Sequence, residues 1–213
     1  MSGIVVFGAG GRAGRQVVAE ARGRGHQVTA VVRDPAKYAE LAGAGVRVEA
    51  GDVTDGAAVA DLVAGHDAVV SMAAVYGPGT NPPAFFVDST RALLAGVARA
   101  GIGRLVVGGL GALLPDDTGT RFVDAMDLPA EAREFCLAHA AGLDVLRAEG
   151  DAVDWLYLSP CGDFDHDGAR TGGYRVGERA DMANRISYAD FAIAVLDEVD
   201  TPQHHRTHLG VLG

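Results

Sequence analysis

Short continuous runs of apolar residues alternate along the chain with longer stretches in which apolar positions recur every three or four residues. The first pattern is that of strands buried on both faces, the second that of helices with one buried face. The run Ile4-Val5-Val6 passes directly into a glycine-rich turn and then into a helical pattern with Ala13, Val17, Val18 and Ala21 on one face. His26–Val32 predicts a second strand, and Asp34-Pro35 starts a short helix to about Ala42. Val46–Ala50 predicts a third strand, followed by a helix carrying Val59, Leu62 and Val63, with Thr54 placed to cap it. Asp67–Met72 is a fourth strand, and a loop from Ala73 to Pro83 leads into a helix from about Ala84 to Arg99. A fifth strand, Arg104–Gly109, precedes a long irregular segment, Leu110–Pro129. A helix over Ala130–Glu149 leads to a sixth strand, Asp154–Pro160. Residues 161–185 contain one short strand, Gly173–Val176, after which Ser187 and Asp190 form a capping box for a helix with Phe191, Val195 and Leu196 on one side. Thr207–Leu212 is the last strand.

Strands that alternate with helices imply an α/β fold, a doubly wound and mainly parallel sheet with helices on both faces. No repeat, linker or low-complexity tract interrupts the 213 residues, so a single domain over 1–213 is expected.

The turn after the first strand carries two overlapping glycine frames. Gly8, Gly10 and Ala13 fit G-x-G-x-x-A, while Gly8, Gly11 and Gly14 fit G-x-x-G-x-x-G. In either frame the glycines allow a tight turn, close approach of the backbone to a phosphate, and packing of the helix on the strand. The unpaired N–H groups and positive dipole end of the helix, where Arg12 also stands, favour an anion. A dinucleotide is the expected occupant, bound by a Rossmann-type sheet at the carboxyl ends of its strands.

Composition narrows the partners. The net charge is −10 and the basic residues are scattered, which argues against nucleic acid or an anionic membrane surface. No apolar run has the length of a membrane span, and the first strand begins at residue 3, so a cytoplasmic protein without a signal peptide is expected. Cys136 and Cys161 form no C-x-x-C pattern and suggest no disulfide. His204, His205 and His208 sit in the final turn and strand and are not expected to hold a metal. Oligomeric state is left open.

Residues at the strand ends supply the candidate chemistry. Arg33, after the second strand, can clasp the 2′-phosphate of NADP, whereas Asp34 beside it can serve the ribose hydroxyl of NAD. The pattern favours NADP(H) and leaves NAD(H) open. Asp52 and Val53 stand where an adenine ring would lie, the aspartate to accept from its amine and the valine to cover its face; a plain turn is the alternative. Ala73 and Ala74 are small enough for a cofactor to pass, and Gly108, Gly109 and Gly111 follow the fifth strand. Ser159, Pro160, Cys161 and Gly162 end the sixth strand, where the nicotinamide is expected.

The glycine turn, Arg33, Gly51-Asp52-Val53, Val107-Gly108-Gly109, Asp154-Trp155 through Ser159-Pro160, Arg170-Thr171-Gly172-Gly173-Tyr174 and Ile186–Ala192 together resemble the atypical short-chain dehydrogenase/reductase group of NAD(P)H-binding proteins. That group is similar to flavin and biliverdin reductases and to NmrA-type NADP-binding regulators. The resemblance covers almost the whole chain, and its C-terminal motifs are more specific than the glycines. A small-molecule acceptor is expected, with Tyr76, Ser159, Cys161, Arg170 and Tyr174 on the acceptor side, although Tyr76 and Tyr174 are equally read as packing aromatics. One departure stands out. Active short-chain dehydrogenases use Tyr-x-x-x-Lys, and none of Tyr38, Tyr76, Tyr157, Tyr174 or Tyr188 has a lysine four positions on; Lys37 is the only lysine. The reading is an NADPH-dependent reductase of a conjugated acceptor such as a flavin or quinone, which needs no strong general acid; the catalytic residues are not assigned. Its rivals are a non-catalytic NADP sensor of the NmrA kind and an isomerase that borrows the cofactor.

Overall fold

The computed structural model describes residues 1–213. Its strands are β1 (Gly3–Phe7), β2 (Gln27–Val32), β3 (Val46–Ala50), β4 (Ala68–Ser71), β5 (Arg104–Gly108), β6 (Trp155–Pro160), β7 (Asp163–Asp165), β8 (Arg175–Gly177), β9 (Arg185–Ser187) and β10 (Thr207–Leu212). Eight of them form one sheet in the order β3-β2-β1-β4-β5-β6-β10-β8. All neighbours in it run parallel except β8, which lies antiparallel on β10. The chain builds outward from β1 to β3 and then crosses back to β4 on the other side of β1. At that reversal the connections leave in opposite directions and open a crevice at the strand ends.

The apolar runs are continuous because helices cover both faces of the sheet. Ile4 pairs with Val28 on one side and Ala68 on the other. Ile4 and Val6 point toward α1 (Arg12–Gly23) and α6 (Tyr188–Asp200), packing with Val17, Val18, Ala21, Phe191 and Val195. Val5 and Phe7 point the other way, toward α2 (Gly56–Val63), α3 (Pro82–Ala100) and α5 (Ala130–Glu149), packing with Val59, Val63, Leu93, Val97 and Leu143. The period of two along β1 thus divides its residues between two cores.

Several local expectations are corrected. Asp55, not Thr54, caps α2: its Oδ1 accepts from the Ala57 and Ala58 N–H groups at 3.0 and 3.1 Å. Thr54 instead donates its N–H and hydroxyl to Asp52. The Asp34-Pro35 helix is a 3-10 turn, Pro35–Leu41, capped by Asp34. The helix α3 starts at Pro82, two residues early, with Asn81 accepting from Ala84 N–H; proline suits a first turn whose N–H groups lack helical partners. The segment 110–129 is not wholly irregular, since it contains a 3-10 turn, Gly111–Leu113, and the short α4 (Phe122–Ala125). Residues 161–185 hold β7 and β8, and β7 pairs in parallel with β9; three-residue strands are too short to show a period.

The capping box at α6 is also different in kind. Ser187 Oγ accepts from the Asp190 N–H at 3.0 Å, but the Asp190 carboxylate does not return to the Ser187 backbone. It accepts from the Thr171 and Gly172 N–H groups at 3.0 and 2.8 Å and from the hydroxyls of Thr171 and Ser187. A local box has become a long-range tie.

Candidate functional site

A cleft of about 820 Å³ opens at the carboxyl ends of β1, β2, β3 and β4. Its floor is the glycine turn. Gly8 has φ +71°, and a Cβ there would lie 2.6 Å from the Ala73 backbone nitrogen, so the turn and β4 touch without room for a side chain. A Cβ on Gly14 would fall 2.1 Å from Gly8 O, which fixes Gly14 as the contact between α1 and β1. Gly11 is the N-cap of α1 and offers no side-chain cap, and the first turn holds no acidic residue. The N–H groups of that turn therefore face the cleft without an internal partner. Around Gly11 the protein leaves space: a Cβ there would meet only Gly8 O, at 3.3 Å. The G-x-x-G-x-x-G frame thus carries the turn, the opening and the packing. Gly10 serves another contact, since a Cβ there would strike the Tyr38 ring.

On the β2–β3 side the lining includes Arg33, Asp34, Lys37, Tyr38, Gly51, Asp52 and Val53. Arg33 is exposed, and its charge helps hold the Asp52 carboxyl below the usual carboxylate range, after the larger contributions of the Thr54 N–H and hydroxyl. Both Thr54 bonds fall on Asp52 Oδ1. Asp34 uses Oδ1 to accept from Ala36 N–H at 3.1 Å. Tyr38 is half-buried between two cations, with Arg15 5.5 Å and Lys37 5.6 Å from its ring centroid.

On the β4 side the lining changes character, to Met72, Ala73, Ala74, Val75, Tyr76 and Phe85, with Tyr188 contributed by α6. Tyr76 is 67 % exposed and sets its ring edge-on to Phe135 at 5.3 Å. Tyr188 is stacked on Phe164 at 4.3 Å. A glycine turn with uncapped N–H groups, two cations beyond β2 and an apolar far side fit a dinucleotide.

The cleft brings together Gly8, Gly10, Gly11, Arg12, Ala13, Arg33, Asp52, Val53, Ala73, Ala74 and Tyr76, with Gly14 directly beneath the turn. Other sequence-derived candidates lie elsewhere. Gly108 and Gly109 are glycines for packing: a Cβ would strike Met72 at the first and Tyr157 at the second. Ser159 is fully buried and bonded to His208 Nε2 at 2.9 Å; Pro160 and Cys161 are buried with it. Burial pushes the Cys161 thiol up to about 11 and the His208 imidazole down to about 3. Arg170 is paired with Glu20 at 2.9 Å, and the Tyr174 hydroxyl donates to Asp197 at 2.9 Å, with burial and that bond raising it to about 12. These residues lie outside the lining of this cleft, in the interior and at the outer face of α1 and α6. The three C-terminal histidines are likewise divided, His204 bonded to Glu198, His205 to Asp154 and His208 to Ser159.

Lys37, Tyr38, Phe85 and Tyr188 line the cleft, although the sequence alone did not place them there. Lys37 and Tyr38 had a usable signal, lying in the turn directly after Arg33. Tyr188 had none, because only the packing of α6 beside α1 carries it to the glycine turn.

Residues 8–202 match the NAD(P)H-binding family. The uncharacterized protein YwnB of Bacillus subtilis strain 168 is 35 % identical over 216 residues, covering 98 % of this chain and 97 % of its own length. Among solved structures, one from Burkholderia pseudomallei, named as a candidate exported protein, is 34 % identical with a TM-score of 0.84 and full coverage of both chains. Another, from Streptococcus pneumoniae TIGR4, named as a candidate NADH-flavin reductase, is 33 % identical with a TM-score of 0.83, covering 100 % of this chain and 99 % of that one.

Proposed function

The chain belongs to the NAD(P)H-binding family, and from that premise we propose that it is an NADPH-dependent reductase of a conjugated acceptor such as a flavin or a quinone. The carrying observation is the two-ended lining of one cleft, with Arg33 and Lys37 beyond β2 and apolar residues with phenols beside β4. Arg33 and Lys37 would hold the 2′-phosphate, and Asp34, engaged in capping its own turn, is less free to hold a ribose hydroxyl. The uncapped first turn of α1 would receive the pyrophosphate. Asp52 and Val53 would border the adenine. When bound, the dihydronicotinamide supplies a hydride.

The acceptor would enter beside Met72, Tyr76, Phe85 and Tyr188, where flat aromatic and thioether surfaces suit a planar conjugated ring. No lysine, histidine or carboxylate lines that end. The protein's share is to position the acceptor, while the proton comes from solvent onto an acceptor whose new electron pair is delocalised. The name of the S. pneumoniae relative supports a flavin.

The test is the steady-state oxidation of NADPH with a flavin, a quinone and a simple ketone. Turnover is expected with the first two and not with the ketone, since an alkoxide would form there without a donor. Tyr76→Phe and Tyr188→Phe should each keep activity within about tenfold, because loss of a true general acid costs about 10²–10⁴-fold. A thousandfold drop in either variant, or efficient ketone reduction, would overturn the reading. Tight cofactor binding with no turnover on any acceptor would favour a sensor in its place.

A further inference from the structure

We infer that Tyr38 is a positioning residue for the 2′-phosphate: its ring, seated on the bare backbone of Gly10, holds the Lys37 ammonium in the cleft beside Arg33 and so sets the preference for a 2′-phosphorylated dinucleotide. The inference rests on the cofactor reading of the cleft and gives Gly10 a task other than contact with the pyrophosphate.

The 3-10 turn Pro35–Leu41 follows β2 and carries both Lys37 and Tyr38. Within it Tyr38 leaves helical geometry, with φ −127° and ψ 26°. Its ring lies against the glycine turn: a Cβ on Gly10 would stand 2.5 Å from Cε1, 2.6 Å from Cζ and 2.9 Å from Cδ1. Only glycine leaves room for a ring so close to the backbone. Arg15 of α1 ties the same two turns together. Its Nε donates to the Gly10 carbonyl at 3.0 Å, its Nη2 pairs with Glu40 at 2.7 Å, and its guanidinium carbon lies 5.5 Å from the Tyr38 ring centroid. Tyr38 is accordingly half-buried, while Lys37, Ala39 and Glu40 around it are exposed.

Lys37 has no such mount of its own. It forms no ion pair, and its flexible four-carbon stem leaves the ammonium free to swing. The aromatic face within its reach is that of Tyr38, with Nζ 5.6 Å from the ring centroid. The negative face of a ring attracts an ammonium, and a ring fixed on the glycine turn gives that ammonium a fixed place. Lys37, Tyr38 and Arg33 all line the cleft. A 2′-phosphate can take hydrogen bonds from both cations, and ordering the lysine before the ligand arrives lowers the entropy lost on binding. A dinucleotide without that phosphate makes no use of the ammonium, so its affinity does not depend on the ring.

The experiment is calorimetric titration of the full chain with NADP+ and NAD+, for the wild type, Tyr38→Phe, Tyr38→Leu, Gly10→Ala, Lys37→Met and the double variant Lys37→Met/Tyr38→Leu. The readout is the ratio of the two affinities, which a loosened turn alone would not move, because the ligands differ only in the 2′-phosphate. The wild type is expected to prefer NADP+, and Lys37→Met to cut that preference about tenfold, the scale of a charge-assisted hydrogen bond. Tyr38→Leu should cut it about two- to fivefold, the scale of an exposed cation–π contact. Tyr38→Phe should keep it, because the ring is retained. Gly10→Ala leaves every cation in place, but its methyl group displaces the ring, so the preference should fall as in Tyr38→Leu. In the Lys37→Met background Tyr38→Leu should bring no further loss. Additive losses in the double variant, an undiminished preference in folded Tyr38→Leu or Gly10→Ala, or equal losses in Tyr38→Phe and Tyr38→Leu would overturn the inference while leaving the cofactor reading intact. Equal affinity of the wild type for both dinucleotides would overturn it together with the 2′-phosphate assignment, and failure to bind either would overturn the cofactor reading as well.

Discussion

Arg33 and Gly11 show how far a single residue can be argued. Arg33 is exposed at the end of β2, close enough to Asp52 to lower its pKa. Replacing it with alanine is expected to weaken NADPH binding by about 1.5–3 kcal/mol and to leave NADH nearly unchanged. Equal losses in parallel fluorescence titrations would remove it from the 2′-phosphate. Gly11 offers a cleaner steric test, since a Cβ there meets only Gly8 O within the protein. Gly11→Val should therefore fold, with thermal stability near that of the wild type, yet fail to bind dinucleotide because its branched side chain fills the approach to α1. A folded variant with wild-type affinity would show that the phosphates bind elsewhere. Both residues were legible in the sequence, because a turn directly after a strand is fixed by neighbours in the chain. Ser159 was not: it ends a strand as expected, but its hydroxyl is turned inward to His208.

At the scale of elements, the loop between β7 and β9 depends on one carboxylate of α6. Asp190 is 2 % exposed; burial raises its pKa, but the N–H groups of Thr171 and Gly172 and the hydroxyls of Ser187 and Thr171 outweigh that and hold it below the usual carboxylate range. A lowered folded-state pKa means that the stabilisation is present above the unfolded value, about 3.9, and is lost as the pH falls through the folded value. Asp190→Ala should cost about 1–3 kcal/mol at neutral pH by orphaning those donors. In urea unfolding the gap between variant and wild type should narrow below about pH 4. A gap that is constant from neutral to acid pH would show that the carboxylate charge is not what ties the loop. Ser187 and Asp190 were recognisable in the sequence as a helix start, which is a local feature. That the aspartate would instead hold Thr171 and Gly172 was not, because the partners approach from 18 and 19 residues away.

Across the whole molecule, the end of the sheet opposite the cleft is held by charge. Arg104, 3 % exposed at the start of β5, pairs with Glu198 of α6 at 2.8 Å and with Asp154 before β6 at 3.1 Å, and its Nε donates to the Glu198 carbonyl. Arg104→Ala strips the guanidinium from a nearly buried glutamate that keeps His204 and the N–H groups of Gln203 and His204, and should destabilise the fold by about 1.5–3 kcal/mol, the scale of hydrogen bonds to a charged group. Cofactor affinity at the far end of the strands should be unchanged once the variant is folded. Chemical denaturation and a binding titration on the same sample check both statements, and a loss below about 1 kcal/mol would mark the pair as a surface-like contact.

The longer strands and helices, their parallel winding and the glycine turn follow from the sequence alone, because each depends on the period of apolar residues or on the chemistry of neighbours along the chain. The positively charged side of the cleft was nearly as plain, since Arg33 and Asp52 end strands whose positions the pattern had set. The opposite side required the tertiary structure. Tyr188 reaches the cleft because α6 packs beside α1, and the side chains of Ser159, Arg170 and Tyr174 are engaged by His208, Glu20 and Asp197 while Cys161 is buried. A strand end specifies which residue arrives at a site, but the rotation of its side chain is set by packing and hydrogen-bond partners far away in the chain.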